Sequence, residues 1–571
     1  MRKMFKYLKP YWFIALLTPL TMIAEVFVDL QLPKLMSTIV DDGVLVGNLE
    51  LVIRVGIKMI IFSVLGGLSG VLAAAFGSYA SQHFGDDLRR DVYRRVMSLS
   101  PQQTDKFTTG SLVTRITNDI SQVQNFMNFL LRMFVRSPMF FIGGIIMMTG
   151  LDLSFAGVVA ISLPIMLVAV VLIVIRTNPM FAIVQEKLDK VNSVVMENVT
   201  GARVVKAYVR EDHETKRFGK ANSELCDTNL RVHYILALMH PVIMIVMNAA
   251  VIAIILIGGY QVEAQTIKVG DVMAAVTYVT QILHSVMMIT MMFQMISRAA
   301  ASAGRINEVL DTSPVIKGGD RVLEGEIEEI EFRNVSFRYP GTTGNDILSD
   351  IDLKIRKGET AAILGSTGSG KTTLVALIAR YYDVCGGEIL INGINIKEYT
   401  LSSLRKKIGY VLQKSELFSG TVTENIKWGD ESADLEEVKK CAKIAQADDF
   451  ISDFNDGYDT MIGEKGASLS GGQKQRISIA RSIMKHPEVL IFDDSTSALD
   501  LGTEARLHAA LRENLSDTTV IMIAQRIASV KNCDRIFVLD GGRIAGSGTH
   551  EELLEKNEVY IDIYNSQLSN E

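Results

Sequence analysis

The densest concentration of chemistry-bearing residues begins at Gly365. The run Gly365-Ser366-Thr367-Gly368-Ser369-Gly370-Lys371-Thr372 has the spacing G-x-x-x-x-G-K-[ST], with Thr373 directly after it. Glycines at that spacing let main-chain N–H groups close around phosphate oxygens, and a helix starting there adds positive potential. Lys371 is placed to pair with the β- and γ-phosphates of a nucleotide, and the Thr372 hydroxyl to hold Mg²⁺. A second magnesium-facing residue is expected at the end of an apolar strand. The stretch Val489-Leu490-Ile491-Phe492-Asp493 supplies it, with Asp493 reaching the metal through water. Between the two lies Leu469-Ser470-Gly471-Gly472-Gln473. By residue type alone this is a glycine turn ahead of a capped helix.

These motifs need particular elements around them. Apolar residues 361–364 precede the glycine run and 374–378 follow it, which predicts strand, turn and helix in that order. The alternation continues over 326–571, predicting an α/β cassette that binds nucleotide. The polar segment 305–325, with Gly318-Gly319-Asp320 near its end, is expected to be a connector, and 1–304 a separate domain. A chain of 571 residues is too long for one core, so at least two domains fit. The net charge of −6 gives no support for a nucleic-acid partner, and none is expected. The four cysteines, Cys226, Cys385, Cys441 and Cys533, have no metal-ligand spacing and fit a reducing compartment.

The first domain is written for a membrane. Apolar stretches near 11–30, 59–80, 135–150, 155–175, 235–257 and 272–296 are each close to the roughly 20 residues that cross a bilayer. Basic residues crowd the segments after the second and fourth stretches, for example Arg89, Arg90, Arg94 and Arg95, then Lys187, Lys190, Arg203 and Lys206. The opposite loops are nearly free of them and carry Asp41 and Asp42. The positive-inside rule puts both termini and both long loops in the cytoplasm. Those loops are too long to be structureless, so the helices are expected to continue past the membrane and turn near Thr108–Leu112 and Thr200–Val204. An ordinary surface hairpin would look the same. Glu25 and Asp29 lie one turn apart toward the outer end of the first stretch. They either line a cavity that attracts cationic compounds or sit solvated at the interface. Met287, Met288, Met291, Met292 and Met295 stripe the last stretch, as adaptable surface or as plain packing.

A P-loop and an acidic strand that bracket Leu469–Gln473, all downstream of those spans, give the whole chain its likeness. It resembles the ABC exporter half-transporters of the multidrug-resistance type. The resemblance implies a polytopic α-helical membrane domain with six spans fused to an α/β P-loop cassette, and ATP with Mg²⁺ as cofactors. It implies that Tyr339 stacks on adenine and that Gln413 senses Mg²⁺ and the attacking water. The loop Gly463–Gly466 would touch the membrane domain, and Ser497–Asp500 would cross between two cassettes. Paired cassettes of this family pack head to tail, so Ser470, Gly471, Gly472 and Gln473 would serve the nucleotide of a second half-transporter. The tips near 108–115 and 200–208 would be coupling helices. The family role is export of small hydrophobic or amphipathic compounds from a bacterial plasma membrane, in contact with membrane lipid, with the cassette in the cytoplasm.

Two positions depart from the family pattern. The residue after Asp493 is normally Glu, the general base; here it is Asp494. One methylene fewer draws the carboxylate back by about 1.5 Å. A base must lie within about 2.6–3.2 Å of its proton. The family places His where this chain has Gln525, which can donate a hydrogen bond but carries no charge. Both changes in one site, beside an intact signature, predict a slow-site subunit of a heterodimer. A homodimer with two slow sites, a regulatory subunit and an importer on this scaffold are the alternatives.

Overall fold

The computed structural model describes all residues except Arg2, Thr343, Ala498 and 569–571, and no side chains for Thr290, Met291, Phe293, Gln294 and Leu568. Met291 of the methionine stripe and Ala498 of the 497–500 loop therefore lie outside the described residues. The chain forms two compact units. One is Met1–Met97 with Gly110–Thr312; the other is Ser98–Thr109 with Ser313–Glu571.

The first unit is helical. Its long helices are α1 (Trp12–Thr38) and α2 (Leu49–Ser98). The short α3 (Pro101–Phe107) belongs to the second unit, and α4 (Thr109–Thr114) returns to the first. Then come α5 (Ile120–Thr149), α6 (Leu153–Thr200), α7 (Ala202–Ala207), α8 (Glu211–Ala237), α9 (Met239–Glu263) and α10 (Val269–Asp311). Among the described residues, 6 helical stretches are long and apolar enough to cross a membrane. The chain is an integral membrane protein. At 1.5 Å per residue, the 50 residues of α2 make a rod of roughly 75 Å, far beyond a hydrocarbon core of about 30 Å. The helices thus continue past the membrane. Gly201 ends α6, while the earlier turn is made by α3, capped by Ser100 and Gln103 and closed at Thr108 (φ 60°).

Helix α1 does not stop near residue 30. It runs into a π-helical segment, Ile39–Val44, that carries Asp41 and Asp42. Glu25 and Asp29 therefore lie in mid-helix, and Glu25 is only 8% exposed, which excludes a solvated interface position for it. The core joins α1, α6, α9 and α10 through Val26, Phe155, Ile254 and Tyr278. The buried Tyr278 hydroxyl donates to the Leu30 carbonyl at 2.8 Å, as a phenol in an apolar core must find an acceptor.

The second unit is an α/β cassette. Its strands are β1 (Glu329–Phe337), β2 (Leu348–Arg356), β3 (Thr360–Gly365), β4 (Gly386–Ile391), β5 (Ile394–Asn395), β6 (Ile408–Val411), β7 (Gly420–Thr421), β8 (Met461–Ile462), β9 (Val489–Asp493), β10 (Thr519–Ala524), β11 (Arg535–Asp540) and β12 (Arg543–Gly548). The principal sheet has the order β12-β11-β3-β10-β9-β6, parallel except for β12. A smaller antiparallel sheet has the order β2-β1-β4-β5. Its helices are α11 (Lys371–Ile378), α12 (Leu401–Lys406), α13 (Val422–Lys427), α14 (Leu435–Ile444), α15 (Asp448–Ser452), α16 (Gly471–Ile483), α17 (Leu501–Asn514), α18 (Ile527–Val530), α19 (His550–Lys556) and α20 (Glu558–Leu568). The central strands are apolar at consecutive positions because both faces are covered; Ala361 to Leu364 are fully buried.

Register does the positioning. Leu364 pairs with Ala524, Ile523 with Asp493, and Phe492 with Val411. The parallel strands β3, β10, β9 and β6 consequently end along one edge, where ligands of open α/β sheets bind.

Candidate nucleotide site

The turn after β3 shows why glycine is required at its ends. A Cβ on Gly365 would lie 2.2 Å from the Leu539 carbonyl oxygen, and Gly370 begins α11 at φ 101°. The loop so formed buries Ser369, whose Oγ has no hydrogen-bond partner among the described residues, and buries Lys371. The Lys371 Nζ donates to the carbonyls of Gly365 and Ser366 at 2.9 and 2.8 Å. Burial pushes its pKa down, against the pull of the nearby Asp494 and Asp493 carboxylates. A strapped-back cation, an unpartnered hydroxyl and a glycine-framed cradle fit a phosphate chain.

Facing the cradle, the Thr372 hydroxyl donates to Asp493 Oδ1 at 2.7 Å, and the Tyr410 hydroxyl to Oδ2 at 3.0 Å. Burial raises the Asp493 pKa despite these two donors, which favour its charged form. Hydroxyl and carboxylate side by side form the hard oxygen set that suits Mg²⁺. Tyr410 has its own pKa pushed up, by burial first and then by Asp493, so it stays a donor. It carries no sequence motif. Its only signal is its place near the end of a strand that leads to Gln413.

The next residue turns sharply. Asp494 sits at φ 48°, a left-handed conformation that Asp tolerates better than most residues. Its Oδ2 accepts from the Gln525 amide at 2.9 Å and from the Gln413 amide at 3.4 Å. The two departures from the family pattern thus meet at one oxygen atom. Gln525 is itself anchored: its main-chain carbonyl accepts from the Gln567 amide at 2.7 Å, and Gln567 Oε1 accepts from the Ile527 N–H at 2.9 Å. That clamp from α20 is invisible in the sequence, because nothing about a lone C-terminal Gln announces a partner 42 residues earlier.

Tyr339 is held beside the P-loop helix, its hydroxyl 3.0 Å from Thr373 Oγ1 and its ring edge-to-face with Tyr382 at 5.1 Å. Ser470, Gly471, Gly472 and Gln473 lie apart from this cluster. Ser470 and Gln473 cap α16 reciprocally, and none of the four bonds to the P-loop residues among the described residues.

Comparison with known proteins agrees over the full length. Residues 12–286 match the family described as ABC transporter transmembrane region, and 348–497 that described as ABC transporter. The chain is 38% identical over 576 residues to the ABC transporter ATP-binding protein YfiB of Bacillus subtilis (strain 168), covering 100% of this chain and 99% of that protein. It is 33% identical to an ATP-dependent lipid A-core flippase of Syntrophus aciditrophicus (strain SB), covering 94% and 89%. A bacterial Atm1-family ABC exporter solved with ATP bound superposes with a TM-score of 0.77 at 28% identity, covering 98% of each chain.

Proposed function

The chain belongs to the ABC transporter family as an exporter-type half-transporter, and from that premise we propose that it is the slow-site subunit of a heterodimer that exports hydrophobic or amphipathic compounds. The observation that carries the reading is the Asp494 carboxylate, one methylene short and held by two neutral amides. A carboxylate held this way has no charged neighbour at position 525 to share a proton with. Its shorter arm also leaves it farther from a water at the γ-phosphate. In this reading Gly365 to Thr373 hold the triphosphate, Tyr339 carries the adenine, and Thr372, Gln413 and Asp493 hold Mg²⁺. Bound Mg²⁺ would neutralise phosphate charge; the binding and orienting belong to the residues named. Ser470 to Gln473 complete the partner's site, whose own residues perform the faster hydrolysis. In this reading the membrane is a bacterial plasma membrane, and the basic loops support a cytoplasmic side for the cassette and both termini.

Purified alone, the chain is expected to bind MgATP and turn it over slowly. The double variant Asp494→Glu with Gln525→His should raise turnover by about 100-fold, the usual worth of a positioned general base. Fast turnover by the unmodified chain alone would overturn the slow-site assignment.

A further inference from the structure

The membrane unit holds a second polar cluster, and it too is left incomplete. Glu25 and Asp29, one turn apart on α1, face Arg132 and Arg136, one turn apart on α5. Arg136 pairs with Glu25 Oε1 at 3.2 Å. Glu25 Oε2 is buried with no hydrogen-bond partner among the described residues, and so is Arg132 Nε. Asp29 makes no hydrogen bond or ion pair among the described residues. Glu25, Asp29 and Arg132 line a cavity of 550 Å³ together with a glycine face of α2, Gly66, Gly67 and Gly70. A Cβ on Gly70 would come within 3.1 Å of the Glu25 carboxylate, and one on Gly77 within 3.3 Å of the Arg132 side chain. The wall is therefore shaped to admit the cluster.

Charges at membrane depth are costly, and the ones that persist there are paired or functional. Here the Glu25–Arg136 pair cancels itself. What remains toward the cavity is one carboxylate, Asp29, backed by the spare Glu25 oxygen, and one guanidinium, Arg132. A purely cationic ligand would leave Arg132 unanswered and be repelled by it. A purely anionic ligand would do the same to Asp29. A ligand bearing both signs answers every orphan at once. The volume lies in the usual range for a small-molecule site, about 300–1,000 Å³.

We infer that this cavity is a binding site for the head group of a zwitterionic amphiphile, with its ammonium on Asp29 and Glu25 Oε2 and its phosphate or carboxylate on Arg132. The inference rests on the reading of the membrane unit as a carrier of amphipathic compounds, and narrows that class.

The test uses the full chain in maltoside detergent without nucleotide, titrated with three probes of equal acyl length: lysophosphatidylethanolamine, lysophosphatidylglycerol and an alkylamine. The zwitterion should bind about tenfold more tightly than either single-charge probe, one charge-assisted contact being worth roughly that factor. In Asp29→Asn its affinity should fall to that of the phosphatidylglycerol probe. In Arg132→Gln it should fall to that of the alkylamine. This split is one that mere loosening of the helices would not produce. Equal binding of all three probes by the unmodified chain overturns the inference, as does equal loss of all three in both variants. If Arg132→Gln does not fold, the unmodified ranking and Asp29→Asn decide. Because no nucleotide is present, failure here leaves the cassette reading intact, and fast ATP turnover by the chain alone would leave this site standing.

Discussion

Two helices of the cassette begin at motifs that face phosphates in this family, and their first turns are finished in opposite ways. Helix α11 starts at a left-handed Gly370 with no side-chain cap, inside a pocket that buries Ser369 and Lys371. Helix α16 starts at an exposed Ser470 whose hydroxyl accepts from the Gln473 N–H at 3.3 Å, while Gln473 Oε1 accepts from the Ser470 N–H at 2.9 Å. Every helix start leaves about four N–H groups to be satisfied. In α11 the chain supplies no cap and surrounds the gap with a cation and a loop, so a ligand is the missing partner. In α16 the chain closes the gap itself, out in solvent. An end completed in this way works on a nucleotide only if something outside the chain brings one to it. The cassette thus leaves one helix start open beside a buried cation and finishes the other with its own side chains.

That contrast can be broken by substitution. The largest effect is expected from Lys371→Ala, which removes the only cation in the cradle among the described residues. MgATP affinity should fall by roughly 100-fold, the worth of two charge-assisted hydrogen bonds. In a thermal-shift titration, the stabilisation of about 2.7 kcal/mol expected at a hundredfold excess over the original Kd should nearly vanish. Ser470→Ala should do something different in kind. Loss of the cap should destabilise the cassette by about 1 kcal/mol. MgATP affinity of the chain alone should stay as it was, while ATP turnover of the assembled pair falls. If Ser470→Ala weakens nucleotide binding in the isolated chain as Lys371→Ala does, the two ends are not distinct and the comparison fails.

How much of this was legible beforehand depended on whether the signal was local. The P-loop, the β9 strand ending in Asp493 and the signature turn are contiguous runs whose spacing follows from backbone geometry, and each was readable from the sequence. The meeting of Asp494 with Gln525 at one oxygen atom needed the pairing of Ile523 with Asp493 across two strands 30 residues apart in sequence. The membrane cluster was half hidden. Glu25 and Asp29 stood out as charges in an apolar run. Arg132 and Arg136 belong to no motif, and nothing local in the sequence tells that they meet Glu25 on another helix. The outer end of α1 was missed for a related reason. Asp41, Asp42 and Gly43 have the composition of a loop, yet their Asp41 carboxylate accepts from the Gly270 N–H at 2.7 Å, and that long-range bond helps hold the π-helical turn.

The smallest effect, and the most informative about how α11's pocket waits for its ligand, should come from Tyr410→Phe. Tyr410 gives Asp493 one of its two side-chain donors. Burial already raises the Asp493 pKa in the folded chain, so the folded state holds this proton more tightly than the unfolded one. The group therefore favours folding below the ordinary carboxylate value of about 3.9, and that advantage is lost as pH rises through the higher folded value. Removing a donor to the charged form moves the folded value up again, so the cost of the substitution must grow with pH. Without ligand, the variant should be about 1 kcal/mol less stable than the unmodified chain at neutral pH, a typical worth for one hydrogen bond, and the gap should narrow toward the acid side. Denaturation midpoints of both proteins, measured from about pH 5 to about pH 8, would show it. A gap that stays constant over that range would mean that the hydroxyl only fills space beside Asp493. A gap that narrows would mean that Tyr410 and Thr372 keep an expensive buried charge ready for the metal.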